Sequence, residues 1–384
     1  IEADAGVMLA EVVAGLGAEF SYVPDRHARE AYLETATQRR SLRWHTRLVD
    51  YRIDPGRSAS TRLALEIGAA GSPGAYVSAG TRTWAAGEGD TRIPFEVGSG
   101  LRDLRRFWVH NAWDAIPAHL PDPSEPCLPA GGTELYLVGH FPDPAQLPTV
   151  VDPENDDDGD WIGRIVLIRS APEDPSLPER RHFVSIQSLD TGEDHVCLDQ
   201  NGDPTPYTRL TWDAAEAAPF DFLLPATSVS ANIVPATAGE TFEESFMTGR
   251  PEAGAAGLPA AVERQGICNE LDGSRMTTFL YSLPETEGNG LGWLGENDDA
   301  SPEIEVIEDP GAGADEWRWT PSLLNSSGRD QDFTLEHGVW RSVFRVQRRG
   351  QTYEHPDYAS GNGFTLRFGD DEFGRQPAPG TAFR

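Results

Sequence analysis

A change of hydrophobic period close to residue 55 constrains the fold of this chain more than any other feature. Before it, apolar residues recur at spacings of three and four and define one stripe of a helix; they are Val7, Leu9, Val12, Val13, Leu16 and Phe20. Pro55 and Gly56 end the helical run, because proline lacks an amide hydrogen and glycine accepts a turn. After them apolar and polar residues alternate, as they do in strands. The sequence therefore predicts N-terminal helices followed by β structure.

The helical region contains a second predicted helix and an arginine-rich stripe. Asp25 follows Pro24 and is placed to cap this second helix. Further on, an apolar stripe lies beside four arginines: Leu42, Leu48 and Val49 against Arg39, Arg40, Arg43 and Arg47. Two interpretations stay open, a surface helix pair packed on its own domain and a helix that assembles with other chains. The near absence of charge between Val7 and Leu16 favours the assembly helix.

The remainder of the sequence predicts several small antiparallel β domains. The chain's 39 glycines and 30 prolines separate short β-rich runs. We expect an elongated α+β fold that is mostly β. Its predicted segments are residues 1–50, a helical assembly segment; residues 51–128, a first β domain; residues 129–240, a second β domain; and residues 241–384, a C-terminal β domain.

Alternating residues also predict particular strands and one hairpin. The stretch from Ala75 to Trp84 has a turn at Ala79-Gly80 and is interpreted as a hairpin. The strands predicted for the second β domain are Glu134–Val138, Trp161–Arg169, His182–Leu189 and Thr208–Trp212.

Charge is the outlying property of the composition. The 384 residues include 62 acidic and 31 basic side chains, for a net charge of −31, and every basic residue is an arginine. A surface that stays hydrated in concentrated salt has this bias, because salt screens the self-repulsion. We therefore expect a halophilic source, archaeal sources included. Nucleic acid is not expected as a partner, since phosphate binding needs a basic surface.

Cysteine spacing and hydropathy exclude further classes of protein. Cys127, Cys197 and Cys268 lie far apart and fit neither a disulfide framework nor a zinc site, so we expect buried or inert thiols. No run of ~18 apolar residues is present, so no membrane span is expected. The sequence opens at Ile1 without methionine, and we expect a longer natural chain.

The residues that carry catalysis in common enzymes form no recognisable motif here. The nine histidines include no metal-binding pair, and no serine nucleophile elbow occurs. Residues 154–160 (ENDDDGD) start like a calcium loop, but Ile165 stands where a chelating glutamate is needed, which favours a solvated acidic loop. Carboxylates are too abundant to select a glycosidase pair. We therefore expect no cofactor and no metal, and a glycosidase stays open at this point.

Several stretches resemble the J-like baseplate wedge proteins of contractile phage tails and extracellular contractile injection systems. Residues 5–11 (AGVMLAE) resemble the family's helix start, with Ala5 at the usual proline. Residues 21–56 resemble the family's most specific sequence motif, which includes the residues DR, EAYL, AT and RRS. Residues 367–381 resemble its C-terminal hairpin, with Asp371 at a usual glycine. Residues 243–297 show no counterpart.

The resemblance implies a structural part, without enzymatic activity, of a virion or of an extracellular or cytoplasmic contractile particle. In that family two copies of the wedge protein and a smaller wedge partner form a unit that is repeated around a central hub and spike with six-fold symmetry. Their helices join a bundle beneath the sheath initiator, and the wedges rearrange on contact with a target. It also implies that the chain continues past Arg384.

Anchors for such an interface are expected among apolar, aromatic and arginine side chains of the N-terminal segment. The candidates are Leu9, Val13, Leu16, Phe20, Tyr22, Arg39, Arg43 and Trp44. Two other functions stay open: a virion enzyme that degrades polysaccharide, and a β-rich receptor-binding or adhesion protein. The first requires two facing carboxylates in a cleft, and the second requires strand repeats and a trimeric tip.

Overall fold

A computed structural model confirms the predicted α+β, mostly β class. It describes residues 4–68, 73–89, 91–122, 124–152, 156–157, 161–174, 176–198, 202–249, 258–268, 275–284, 290–295, 300–308, 314–348 and 351–384.

The chain divides into two compact units. The barrel unit combines Ile1–Arg57 with Phe242–Arg384, and the sheet unit is Ser58–Thr241. This division is coarser than the four segments expected from the sequence, which stay a prediction. The N-terminal helices thus share a unit with the C-terminal strands, although they are separated along the chain by the whole sheet unit.

Two α-helices open the barrel unit. Helix α1 spans Ala5–Glu30 and α2 spans Arg39–Arg47. The Asp4 carboxylate caps α1 by accepting a hydrogen bond from the Gly6 amide at 2.7 Å. Helix α1 continues through Pro24, so the separate helix predicted to start at Asp25 is wrong. A proline removes one hydrogen bond of the helix but need not end it.

The sheet unit contains fifteen strands among its described residues. They are β1 Ser60–Ala64, β2 Gly74–Ser78, β3 Arg82–Ala86, β4 Arg92–Val97, β5 Arg106–His110, β6 Ile116–Pro117, β7 Cys127–Leu128, β8 Glu134–Val138, β9 Asp156–Asp157, β10 Ile165–Ser170, β11 Arg180–Leu198, β12 Pro204–Trp212, β13 Phe222–Leu223, β14 Thr227–Ser230 and β15 Ile233–Ala238. Short 3-10 helices span Asn111–Trp113, Pro144–Gln146, Ala214–Glu216 and Leu224–Ala226.

These strands form small, mainly antiparallel sheets. Their orders are β1-β15-β4-β3, β6-β14-β10-β11-β12-β8, β13-β7 and β2-β5-β9. The largest sheet covers the main core of the unit, where Trp113 and Trp161 meet edge to face with ring centroids 5.4 Å apart. Each of the four strands predicted in this region is present, and β8 has the predicted bounds, but β10 begins at Ile165 because residues 161–164 form a turn.

The hairpin predicted between Ala75 and Trp84 is wrong, although its turn is present. Gly80 has φ 78°, as a tight turn requires. Strand β2, however, pairs with β5, and β3 pairs with β4. Turn residues determine where a chain reverses, but the strand that it then joins depends on distant residues.

The barrel unit closes a sheet of eight strands in its described part. The strands are β16 Phe246–Thr248, β17 Ala260–Cys268, β18 Arg275–Ser282, β21 Val306–Glu308, β22 Asp315–Trp319, β23 Asp332–Arg348, β24 Gln351–Phe368 and β25 Ala382–Phe383, with β19 Trp293–Leu294 and β20 Ser301–Pro302 paired separately and a 3-10 helix at Leu323–Asn325. Aromatic rings fill the barrel: Phe246 stacks on Tyr281 at 3.9 Å between ring centroids, and Trp317 meets Phe368 at 5.0 Å. Closure leaves these strands without free edges.

Candidate assembly interface

The N-terminal half of α1 presents apolar side chains to solvent. Leu9 is 69% exposed and Val13 is 61% exposed. Their neighbours Val7, Met8 and Val12 are also exposed, and Glu11 is the one charged residue among residues 5–15. A helix that is apolar on all sides is normally buried, and an exposed apolar patch marks a site of interaction.

Covering this apolar surface with a partner would contribute a substantial free energy of association. Fully burying one such side chain contributes about 1.5–3 kcal/mol. The five large apolar side chains of residues 7–13 are 41–69% exposed, so covering them would contribute on the order of 4–9 kcal/mol, against a cost of association of about 4–15 kcal/mol. The surface is sufficient to hold a helix in a permanent contact when a partner adds a comparable area.

The eight predicted anchors lie on the two helices. Leu9 and Val13 are on the exposed apolar part of α1. Leu16, Phe20 and Tyr22 also belong to α1, but their side chains lie outside the described part of the structure. Arg39, Arg43 and Trp44 are in α2, and Trp44 is 51% exposed. The role of these residues as an interface stays a prediction.

A carboxylate fixes the connection between the two helices. At the end of α1, the Glu30 side chain accepts hydrogen bonds from the Thr37 amide at 3.1 Å, the Thr37 hydroxyl at 2.9 Å and the Gln38 amide at 3.2 Å. His45 Nε2 donates to the Glu30 carbonyl oxygen at 2.7 Å. Burial raises the pKa of Glu30, but the hydrogen bonds from Ser41, Thr37 and Gln38 outweigh it and lower the pKa to about 2. Glu30 therefore stays ionised and holds α2 at the end of α1.

Helix α2 contacts β23 and reaches a buried tyrosine of the barrel. The Arg40 guanidinium lies 3.8 Å from the centre of the Tyr358 ring, a cation–π distance. The Tyr358 hydroxyl donates to the Glu336 carboxylate, which also pairs with Arg367 Nη1 at 3.0 Å. Burial, and then the charge of Glu336, raise the pKa of Tyr358. These contacts attach α2 to its own unit, whereas the described apolar side chains of α1 stay exposed.

A groove of about 350 Å³ lies beside α2, and we call it the arginine groove. Burial lowers the pKa of Arg43, and the charges of Arg39, Arg47 and Arg52 lower it further. Four cations are therefore close together in a strongly acidic chain. The residues that line the groove are Arg43, Arg52, Ile53, Asp54, Pro55, Trp293, Ala300, Trp319, Pro321, Thr334 and Leu335.

The imidazole of His337 lies close enough to Arg43 and Arg39 to be repelled by their charges, and it is neutral. Its ring is buried and packs on Phe364 with ring centroids 4.5 Å apart. Burial, and then repulsion from Arg43 and Arg39, lower the pKa of His337 to about 3. Neither this histidine nor Tyr358, Trp293 or Trp319 was predicted to belong to the site. No sequence signal indicated them, because they lie far from the arginines along the chain and none of them is an anion.

The described residues contain no group of three or more histidines, cysteines or carboxylates that could hold a metal. Cys127 and Cys197 are free thiols; Cys127 is exposed, so of the two expected states, buried or inert, burial does not hold for it. No helix in the described part of the chain has the length and apolarity that a membrane crossing needs. The acidic loop predicted at residues 154–160 lies mostly outside the described residues.

Comparison with known proteins gives one match. Residues 1–48 match the family model of the bacteriophage baseplate protein, N-terminal domain. This segment contains α1, α2 and all eight predicted anchors. No curated protein and no solved structure matches the chain. A baseplate domain implies assembly with other baseplate proteins and suggests a component of a phage virion. The match therefore supports a structural role for this chain as a phage baseplate protein.

Proposed function

We propose that this chain is a wedge component of the baseplate of a contractile tail or contractile injection system. In this role it links a central hub to the sheath, acts without enzymatic activity, and rearranges when the particle is triggered. Its partners are a second copy of itself, a smaller wedge protein, the sheath initiator and the hub and spike proteins. The net charge of −31 supports a particle that works in concentrated salt.

The observation that carries this proposal is the exposed apolar surface of α1, within the segment that matches the baseplate family. Leu9 and Val13 lie one helical turn apart and therefore share a face. A structural part needs wide apolar contacts rather than a convergent polar pocket. Helix α1 has such a surface, while α2 is attached to the barrel of its own unit.

Replacing Leu9 and Val13 together by aspartate tests this proposal. A charge cannot enter an apolar contact without a partner, so the double variant should no longer enter baseplates. The fraction of particles with a complete baseplate, counted in electron micrographs, should fall at least about tenfold. Circular dichroism and thermal unfolding of the purified chain should not change, because both side chains are exposed.

The matched control replaces two equally exposed apolar residues of the sheet unit. Leu104 is 75% exposed and Val150 is 79% exposed, and both lie in loops. The Leu104→Asp and Val150→Asp double variant adds the same charge and should assemble normally. Normal particles from the α1 variant, or equal losses in both variants, would contradict the proposed role of α1.

A further inference from the structure

The arginine groove carries positive charge that the described part of the chain does not neutralise. Arg43 and Arg52 line it, and Arg39 and Arg47 are close enough to repel Arg43. None of these four arginines forms an ion pair with a described carboxylate. Arg39 instead donates to a backbone oxygen, that of Asp54, at 2.8 Å. Grouping four cations costs free energy, and a bound anion would recover it.

Among the described residues that line the groove, Asp54 is the one carboxylate, and it makes other contacts. Asp54 Oδ1 accepts a hydrogen bond from the Gly56 amide at 2.9 Å, and Oδ2 lies 4.0 Å from Arg57 Nη2. Arg52 is exposed and Arg43 is partly exposed, so both guanidinium groups are accessible from solvent. A planar guanidinium binds carboxylates and phosphates with two parallel hydrogen bonds.

Aromatic side chains also line the groove. Trp293 is buried and meets Trp319 edge to face, with ring centroids 5.7 Å apart. Pro55 and Leu335 add to the apolar lining. A lone phosphate would use the arginines and leave the tryptophans unused. A peptide with both acidic and apolar side chains uses both the arginines and the apolar lining, and a volume of about 350 Å³ admits a few side chains.

We propose that the arginine groove binds an acidic peptide segment of a partner protein, with carboxylates on Arg43 and Arg52 and an apolar side chain against Trp319. This site goes beyond the proposed wedge function, because it is separate from the apolar surface of α1. It gives the baseplate domain a second contact that is polar and sensitive to salt.

Fluorescence anisotropy of the full chain with a labelled decapeptide of alternating aspartate and leucine tests the proposal. The same peptide with asparagine for aspartate, and one with serine for leucine, are the comparison probes. We expect binding of the first peptide only, weakened by raising salt from about 0.05 to about 0.5 M. Arg43→Gln with Arg52→Gln should weaken it at least about tenfold.

Arg329→Gln is the matched control, since Arg329 is an exposed arginine of the same unit that does not line the groove. The Arg329→Gln variant should bind the aspartate–leucine peptide with unchanged affinity, and so should the Leu9→Asp and Val13→Asp double variant. If the double variant unfolds, the single variant Arg52→Gln replaces it in the binding measurement, because it changes only one exposed side chain. Absence of binding by the acidic peptide, or equal affinity of the Arg52→Gln and Arg329→Gln variants, would overturn the proposal. The proposal would also be overturned if the serine-containing peptide bound as tightly as the aspartate–leucine peptide. It would likewise be overturned if phosphate at constant ionic strength fully displaced the aspartate–leucine peptide, because the groove would then be a general anion site.

Discussion

At the scale of single residues, the turn after β24 shows how a substitution within a recurring motif is tolerated. Asp371 stands where the resembling wedge proteins have glycine, and its φ is 68°, in the left-handed region. Aspartate reaches this region more readily than most residues, because its short side chain bonds locally. Here Asp371 Oδ1 accepts a hydrogen bond from the Gln376 amide at 2.8 Å. The turn therefore keeps the backbone conformation that glycine would supply.

Gly328 approaches the same turn so closely that a side chain cannot fit. A Cβ atom at residue 328 would lie 1.8 Å from the Asp371 carbonyl oxygen. Gly328→Ala should lower the free energy of unfolding of the barrel unit by about 3 kcal/mol or more, because backbone atoms must move. Urea denaturation measures this loss. Gly290→Ala is the control, since no atom lies within 4 Å of its Cβ position; equal unfolding midpoints for the two variants would contradict the close approach of Gly328 to the turn.

At the scale of elements, the connection between α1 and α2 depends on one ionised carboxylate. Folding lowers the pKa of Glu30 from 4.5 to about 2, so its stabilising effect is complete above pH 4.5 and is lost as the pH falls towards 2. Glu30→Ala removes acceptors of about 1 kcal/mol each. At neutral pH the amides of Thr37 and Gln38 should exchange with deuterium at least about tenfold faster in this variant.

The pH dependence of amide protection in the unsubstituted chain is the control for this prediction. In the unsubstituted chain, protection of the two amides, corrected for intrinsic exchange, should decrease below pH 4.5, whereas Glu30→Ala should already lack it. Glu34→Ala changes an exposed glutamate of the same connection and should leave protection intact. Unchanged protection in the Glu30 variant would show that other contacts hold the two helices together.

The sequence predicted the positions of helices and strands better than it predicted which elements and side chains pack against them. Alternation located β8 with its correct bounds, because one face of that strand is buried and the other is not. The period of three and four located α1 but did not show that the helix continues through Pro24 to Glu30. Residue type and position in the N-terminal segment indicated Arg39 and Arg43. Trp293, Trp319 and Tyr358 were missed because folding brings them to α2 from the other end of the chain.

At the scale of the whole molecule, helices from the start of the chain and a barrel from its end form one unit. Within it, α2 is attached through Arg40 and Tyr358, while the described apolar side chains of α1 are exposed. Helix α2 is therefore held within its own chain, and we propose that baseplate partners cover the apolar face of α1.

Thiol labelling of assembled baseplates tests that claim most directly. Leu9→Cys and Leu104→Cys each place a thiol at an exposed position, in α1 and in the sheet unit respectively. Mass spectrometry of peptides separates these thiols from the exposed native Cys127. In the free chain both introduced thiols should react with maleimide at similar rates. In the assembled particle we predict that the thiol at position 9 is protected at least about tenfold while that at position 104 still reacts; equal labelling of position 9 in free chain and particle would contradict the account.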